Sequence, residues 1–209
     1  MLDGTEDSNW GKILGEAIMK LASIRGETPY INVTPGSLDW KGYDIVKGLE
    51  DKCINRARNQ VFLEELCLMT ARKYADNGYP HKIILTGEDI FSKAAKSWCF
   101  GGNRFCDVGT GQERTLEVYT VISTHRVQDY YLFWSLCAHE LGHAYGAARE
   151  GRKNTEMKLG SHCTNDLCVM QQKTDIREAR DYAMEIYNSG KDPPYCPECI
   201  NDLLANSEE

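Results

Sequence analysis

Two histidines four residues apart enclose a carboxylate in His139-Glu140-Leu141-Gly142-His143. The run before them is almost wholly apolar, with Tyr131, Leu132, Phe133, Trp134, Leu136, Cys137 and Ala138. A stretch this apolar and this long reads as a helix over 129–145, ended by Gly146. A helix that is hydrophobic most of the way round must be buried by other elements. Residues four apart share a helix face, so the imidazoles of His139 and His143 reach one point, with Glu140 beside them. The chain therefore has to build a core around a buried helix that carries polar, metal-ligating side chains.

The remaining pattern supplies elements for such a core. Ile13, Leu14, Ala17, Ile18 and Leu21 recur at helical spacing within 9–25, after a polar stretch at 1–8 expected to fray. Residues 30–33 form a short strand candidate stopped by Pro35-Gly36. Phe62, Leu66, Met69 and Lys73 predict a helix over 61–76, closed by Asn77-Gly78. Strands are expected at 82–86 and 116–123, with a strand and an irregular loop in the Gly-, Cys- and aromatic-rich 98–109 between them. A further helix is expected at 174–188, and Asp192-Pro193-Pro194 leads into the last cysteine pair. Strands mixed with helices, without repeats or a linker, predict an α+β (mixed α/β) fold in one domain, 1–209.

Composition narrows the classes of function. The formal net charge of −7 argues against a phosphate-backbone partner, so no nucleic acid is expected. With 42% apolar and 26% charged residues the chain is globular rather than disordered. No apolar run nears the ~20 residues of a membrane helix, so no membrane association is expected. The acidic, polar amino terminus lacks the basic and apolar regions of a secretory signal, which makes the expected location cytoplasmic. Nine cysteines is then a high and odd count, with one CxxC, and in a reducing compartment it favours metal binding over disulfides.

Zinc held by neutral imidazoles keeps an open position and activates water, and a carboxylate such as Glu140 can act as general base. Downstream of Gly146 come His162-Cys163, Cys168-Val169-Met170 and Cys196-Pro197-Glu198-Cys199. The cysteine spacing, C-x4-C-x27-C-x2-C, offers two close pairs that can close a tetrahedral site without an open position.

This set of motifs resembles the archaemetzincins, a family of zinc metallopeptidases. The signature there is HExxHxxG, a third histidine next to a cysteine, a second cysteine followed after one residue by methionine, and a later CxxC. Upstream, Ile84-Leu85-Thr86-Gly87-Glu88-Asp89-Ile90-Phe91, Phe100-Gly101-Gly102 and Ser123-Thr124-His125-Arg126 resemble the family's strand and turn segments, so the likeness spans a catalytic core at 80–205. The resemblance implies that His139, His143 and His162 hold a catalytic zinc, that Glu140 is the general base, and that Met170 is the Met-turn residue below the metal. It implies that Cys163, Cys168, Cys196 and Cys199 hold a second, structural zinc. It further implies a metzincin-like fold, with a twisted mixed sheet, an active-site helix and a zinc-stapled C-terminal part, and the processing of small peptides, the amino terminus being one candidate end. The chain itself is expected to be a monomer acting on a peptide or protein substrate. Two spacings depart from the family pattern: 15 residues separate Gly146 from His162, and 25 separate Met170 from Cys196. The extra residues before His162 are polar and read as an exposed excursion.

Other residues take plainer readings. His81 is expected at the surface, and His125 at a strand end is read as a plain polar residue, with a supporting role beside the site as the alternative. Cys53, Cys67 and Cys137 fall in helical patterns as core thiols, and Cys99 and Cys106 as free thiols. Two rival functions remain open at this point. One is an HExxH peptidase of the gluzincin kind, whose third ligand is Glu150 or Glu156. The other is a zinc-stapled interaction or regulatory module without turnover.

Overall fold

A computed structural model describes residues 7–29, 52–74, 80–109, 115–127 and 129–205. The strand expected at 30–33 and the helix stop at Asn77-Gly78 lie outside the described residues, as does most of the polar 1–8. Five helices are described: α1 (Asp7–Arg25), α2 (Leu63–Tyr74), α3 (Tyr130–Ala144), α4 (Ile176–Asn188) and α5 (Pro197–Ala205). The first strands are β1 (Ile54–Asn55), β2 (Gln60–Phe62), β3 (His81–Thr86), β4 (Ile90–Ser92) and β5 (Ser97–Cys99). Then follow β6 (Gly101–Val108), β7 (Thr115–Ser123), β8 (Thr155–Met157) and β9 (Ser161–Cys163). The fold is α+β, divided into two compact units: Met1–Asn32 with Gln128–Glu209, and Val33–Val127. None of the described helices is long and apolar enough to cross a membrane.

The Val33–Val127 unit is built on β7. Its β-branched residues place it at the centre of a sheet ordered β3-β7-β6, parallel to β3 and antiparallel to β6. Tyr119, Val121 and Ile122 are fully buried, and Leu66, Cys67 and Ala71 of α2 pack in the same core as Tyr119 and Val121. Gly102 in β6 leaves room for this helix, since a Cβ there would stand 2.9 Å from Leu63 Cδ1. A second sheet runs β1-β2-β4-β5.

Two local expectations change here. Val61 and Phe62 belong to a strand and not to the helix: they pair in parallel with Ile90 and Phe91, and the Val61 amide donates to the Asp89 carbonyl at 2.8 Å. A β-branched and an aromatic residue gain more from that pairing than from one more helical turn, so α2 begins at Leu63. The loop expected within 98–109 is instead β6, whose pairing with β7 runs from Gly101 opposite Ile122 to Val108 opposite Thr115.

In the other unit α3 is the central helix. Asp129 caps it, accepting from the Leu132 amide at 3.0 Å, and the second oxygen of that carboxylate meets Arg180 of α4 at 2.6 Å. Leu132, Phe133, Cys137 and Leu141 are buried. The apolar stripe of α1 (Ile13, Leu14, Ala17, Leu21) packs on this helix, with Trp10 set edge-on to Phe133 at 4.5 Å. Burying side chains of this size stabilises the packing by roughly 1.5–3 kcal/mol each. The α3 helix is thereby a fixed platform for the histidines near its end.

Candidate metal centre

His139 and His143 lie one turn apart on α3, with Nε2 atoms 3.1 Å from each other. The helix then stops in a Schellman motif: the Ala147 amide bonds to the Gly142 carbonyl at 2.8 Å and the Gly146 amide to the His143 carbonyl at 3.1 Å. Gly146 takes φ +81°, the left-handed conformation that glycine adopts without strain. The chain returns through a hairpin in which β8 and β9 pair Glu156 with His162, and the Ser161 hydroxyl donates to the Ala148 carbonyl at 2.5 Å. This delivers the buried His162, whose Nε2 is 3.3 Å from that of His143.

Hydrogen bonds set the ring orientations. His139 Nδ1 is 2.8 Å from the Val169 carbonyl and His162 Nδ1 is 3.2 Å from the Gly160 carbonyl. A carbonyl only accepts, so both Nδ1 atoms carry the proton and both Nε2 atoms present lone pairs. Burial, together with the neighbouring His162, holds His139 down to about 4, and burial pushes His143 and His162 below the ordinary histidine value as well. Neutral imidazoles with converging lone pairs are what a divalent cation requires. The geometry fits zinc: a tetrahedron with zinc–nitrogen bonds of ~2.0–2.1 Å has an edge of roughly 3.3 Å. Glu140 is 7% exposed, and burial pushes its carboxyl up to about 8.

The second group follows at once. Cys163 Sγ is 3.6 Å from Cys196 Sγ, and Cys168 Sγ is 3.7 Å from Cys199 Sγ, all four residues being buried. Bonds of ~2.3 Å to zinc give a tetrahedral edge of about 3.8 Å, so this set also fits. Amides of Asn165 and Cys196 point at Cys163 and Cys168 sulfurs at 3.4 and 3.3 Å, hydrogen bonds that favour thiolates. Contact with Cys168 holds the Cys163 thiol down to about 7.

One short segment touches both groups. Cys168 belongs to the cysteine set, the Val169 carbonyl orients His139, and Met170 packs fully buried against Gly142. The Tyr195 hydroxyl, beside Cys196, donates to the Ala138 carbonyl at 2.7 Å. Among the described residues the histidine group contains His139, His143 and His162, and Glu150 and Glu156 are exposed and outside it.

Elsewhere, His81 is not at the surface: it is half-buried on β3, its Nε2 2.7 Å from Thr120 Oγ1, and burial holds it down to about 4. His125 is exposed, its Nδ1 3.3 Å from the Gly87 carbonyl. Cys53, Cys67, Cys99, Cys106 and Cys137 are not joined in disulfides. Sequence reasoning missed three participants: the Val169 carbonyl, the Gly142 contact with Met170, and Arg152, which lies against Cys199. Only Gly142 left a signal, as a glycine in the interior of a helix. Comparisons with protein-family models, curated proteins and solved structures give no match.

Proposed function

We propose that the chain is a zinc-dependent peptidase of the archaemetzincin kind, with a metzincin-like arrangement around α3 and two zinc ions, one catalytic and one structural. The convergence of three Nε2 atoms on a buried helix that also carries Glu140 is the observation that supports it best. A purely structural site has no need of a buried carboxylate between two of its ligands, whereas hydrolysis needs a base there. The exposed positions of Glu150 and Glu156 favour His162 over a glutamate as third ligand.

Zinc bound by His139, His143 and His162 would supply Lewis acidity, acidifying water and polarising a peptide carbonyl. The residues of the chain do the rest. Val169 and Gly160 carbonyls fix two imidazoles in the tautomer that leaves Nε2 free. A Glu140 carboxylate oxygen takes the proton from the attacking water and hands it to the leaving amine. Met170 and Gly142 hold the helix floor, and the cysteine set anchors the segment that carries Val169.

Metal analysis of the purified chain tests this reading. Wild type is expected to hold two zinc ions, His162→Ala one, and Glu156→Ala two. Retention of two by His162→Ala with loss of one by Glu156→Ala would assign the chain to the glutamate-ligand peptidases.

A further inference from the structure

The excursion between Gly146 and His162 is polar enough to run through solvent, and Arg149, Glu150 and Lys153 do so. Arg152 does not. Its side chain is 16% exposed; Nη1 meets Asp202 Oδ2 at 2.7 Å and Nη2 stands 3.3 Å from Cys199 Sγ. The backbone holds it there. Asp202 also accepts from the Arg149 amide at 3.0 Å, and the Arg152 carbonyl accepts from Thr155 through both its amide and its hydroxyl, at 3.1 and 2.7 Å. The Thr164 amide, next to Cys163, donates to the Asn154 carbonyl at 2.9 Å. The excursion is thus tied to α5, which carries Cys199 and Asp202, and to the residues just after Cys163.

Four thiolates around a divalent cation carry two excess negative charges, in a pocket where all four residues are buried. A buried, uncompensated charge is costly, and hydrogen bonds to thiolate sulfur draw off electron density and make it a poorer nucleophile. We propose that Arg152 is a charge-balancing partner of the four-cysteine metal site, and that the 147–161 excursion serves to deliver its guanidinium to Cys199. This rests on the reading of Cys163, Cys168, Cys196 and Cys199 as zinc ligands. Arg152 is a positioning residue: it acts through Cys199 sulfur and not on substrate.

The test uses the full, zinc-loaded chain treated with iodoacetamide in the presence of a metallochromic indicator. Alkylation forms a sulfur–carbon bond with loss of iodide, and the thioether no longer holds the metal as an anion. R152Q is expected to release the cysteine-held zinc roughly tenfold faster than wild type, the scale of one hydrogen bond to a charged group. R152K, which keeps the charge but not the fork, should fall between them. D202N keeps an oxygen that can accept from Arg152 and the Arg149 amide and removes one negative charge beside the guanidinium, so it should release zinc no faster than wild type. In cobalt-substituted protein, R152Q should move the sulfur-to-cobalt charge-transfer band to lower energy, and D202N should leave it in place. An R152Q rate equal to wild type overturns the proposal, and so does D202N matching R152Q, which would make the contact a mechanical clamp alone. If R152Q does not fold, the cobalt band and release rate of R152K against D202N decide, and a faster D202N overturns the proposal. Wild type holding fewer than two zinc ions, with all four thiols reacting freely, removes the zinc-site reading itself.

Discussion

A Cβ built on Gly142 would stand 2.4 Å from the Met170 sulfur and 3.0 Å from Tyr195 Cε1. The helix turn between the two histidines therefore lies flush on the segments that carry Val169 and Cys196, with no space for even a methyl group. Gly142→Ala should force these segments away from α3, at a cost of about 1–3 kcal/mol for overpacking, and weaken metal retention. Thermal unfolding of Gly142→Ala, Met170→Ala and the double variant checks it. The double variant should be less destabilised than the sum of the single ones, and additive effects would contradict the contact.

The two metal groups should fail asymmetrically. His162 adjoins Cys163, and Cys168 adjoins Val169, whose carbonyl orients His139 at 2.8 Å. His143→Ala removes one ligand and should leave the cysteine group intact, with one zinc retained. Cys168→Ser should release both ions, because the closed site contributes folding free energy and anchors the ring orientation of the open one. A mild chelator applied to wild type should take one zinc quickly with the fold unchanged. Equal loss from both single variants would contradict this order.

The Val33–Val127 unit carries its own pH dependence. Arg126 places Nε and Nη2 at 2.8 and 2.6 Å from the two Asp89 oxygens, and Gln60 donates at 2.9 Å. Burial alone would raise the Asp89 carboxyl, but the Arg126 fork and Gln60 hold it below its usual value. A depressed folded pKa gives stability that is complete above the unfolded value of ~3.9 and is lost as pH falls through the folded one. Asp89→Asn should cost on the order of 1–3 kcal/mol at pH 7, with the gap to wild type closing below about pH 4. Melting curves at pH 7 and pH 3.5 measure it, and a gap that widens in acid would contradict the sign.

What could be read in advance followed from local spacing. His139 and His143 are four apart, Gly146 follows the helix, and the cysteines come in two close pairs, so the helix, its stop, two of the three histidines and both cysteine pairs are legible from neighbours in the chain. The third histidine needed the family resemblance, because the chain between Gly146 and His162 has no periodicity that predicts a hairpin. The strand at Val61 and Phe62 is hidden from helical spacing for the same reason: its partners, Ile90 and Phe91, lie far along the chain, and helical spacing cannot register a parallel pairing. Arg152 resembles its exposed neighbours by type, and only the fold of the excursion brings it to Cys199.

Cleavage of a mixed peptide library by wild type and Glu140→Gln, matched for zinc content, tests the central claim most directly. The substitution keeps the shape of the side chain and removes the base. Wild type should cut peptides, and Glu140→Gln should retain its zinc and fold while losing roughly 10²–10⁴-fold in rate. Equal cleavage by both proteins, or no cleavage by zinc-loaded wild type on any peptide, would contradict the assignment of Glu140 and of a peptidase.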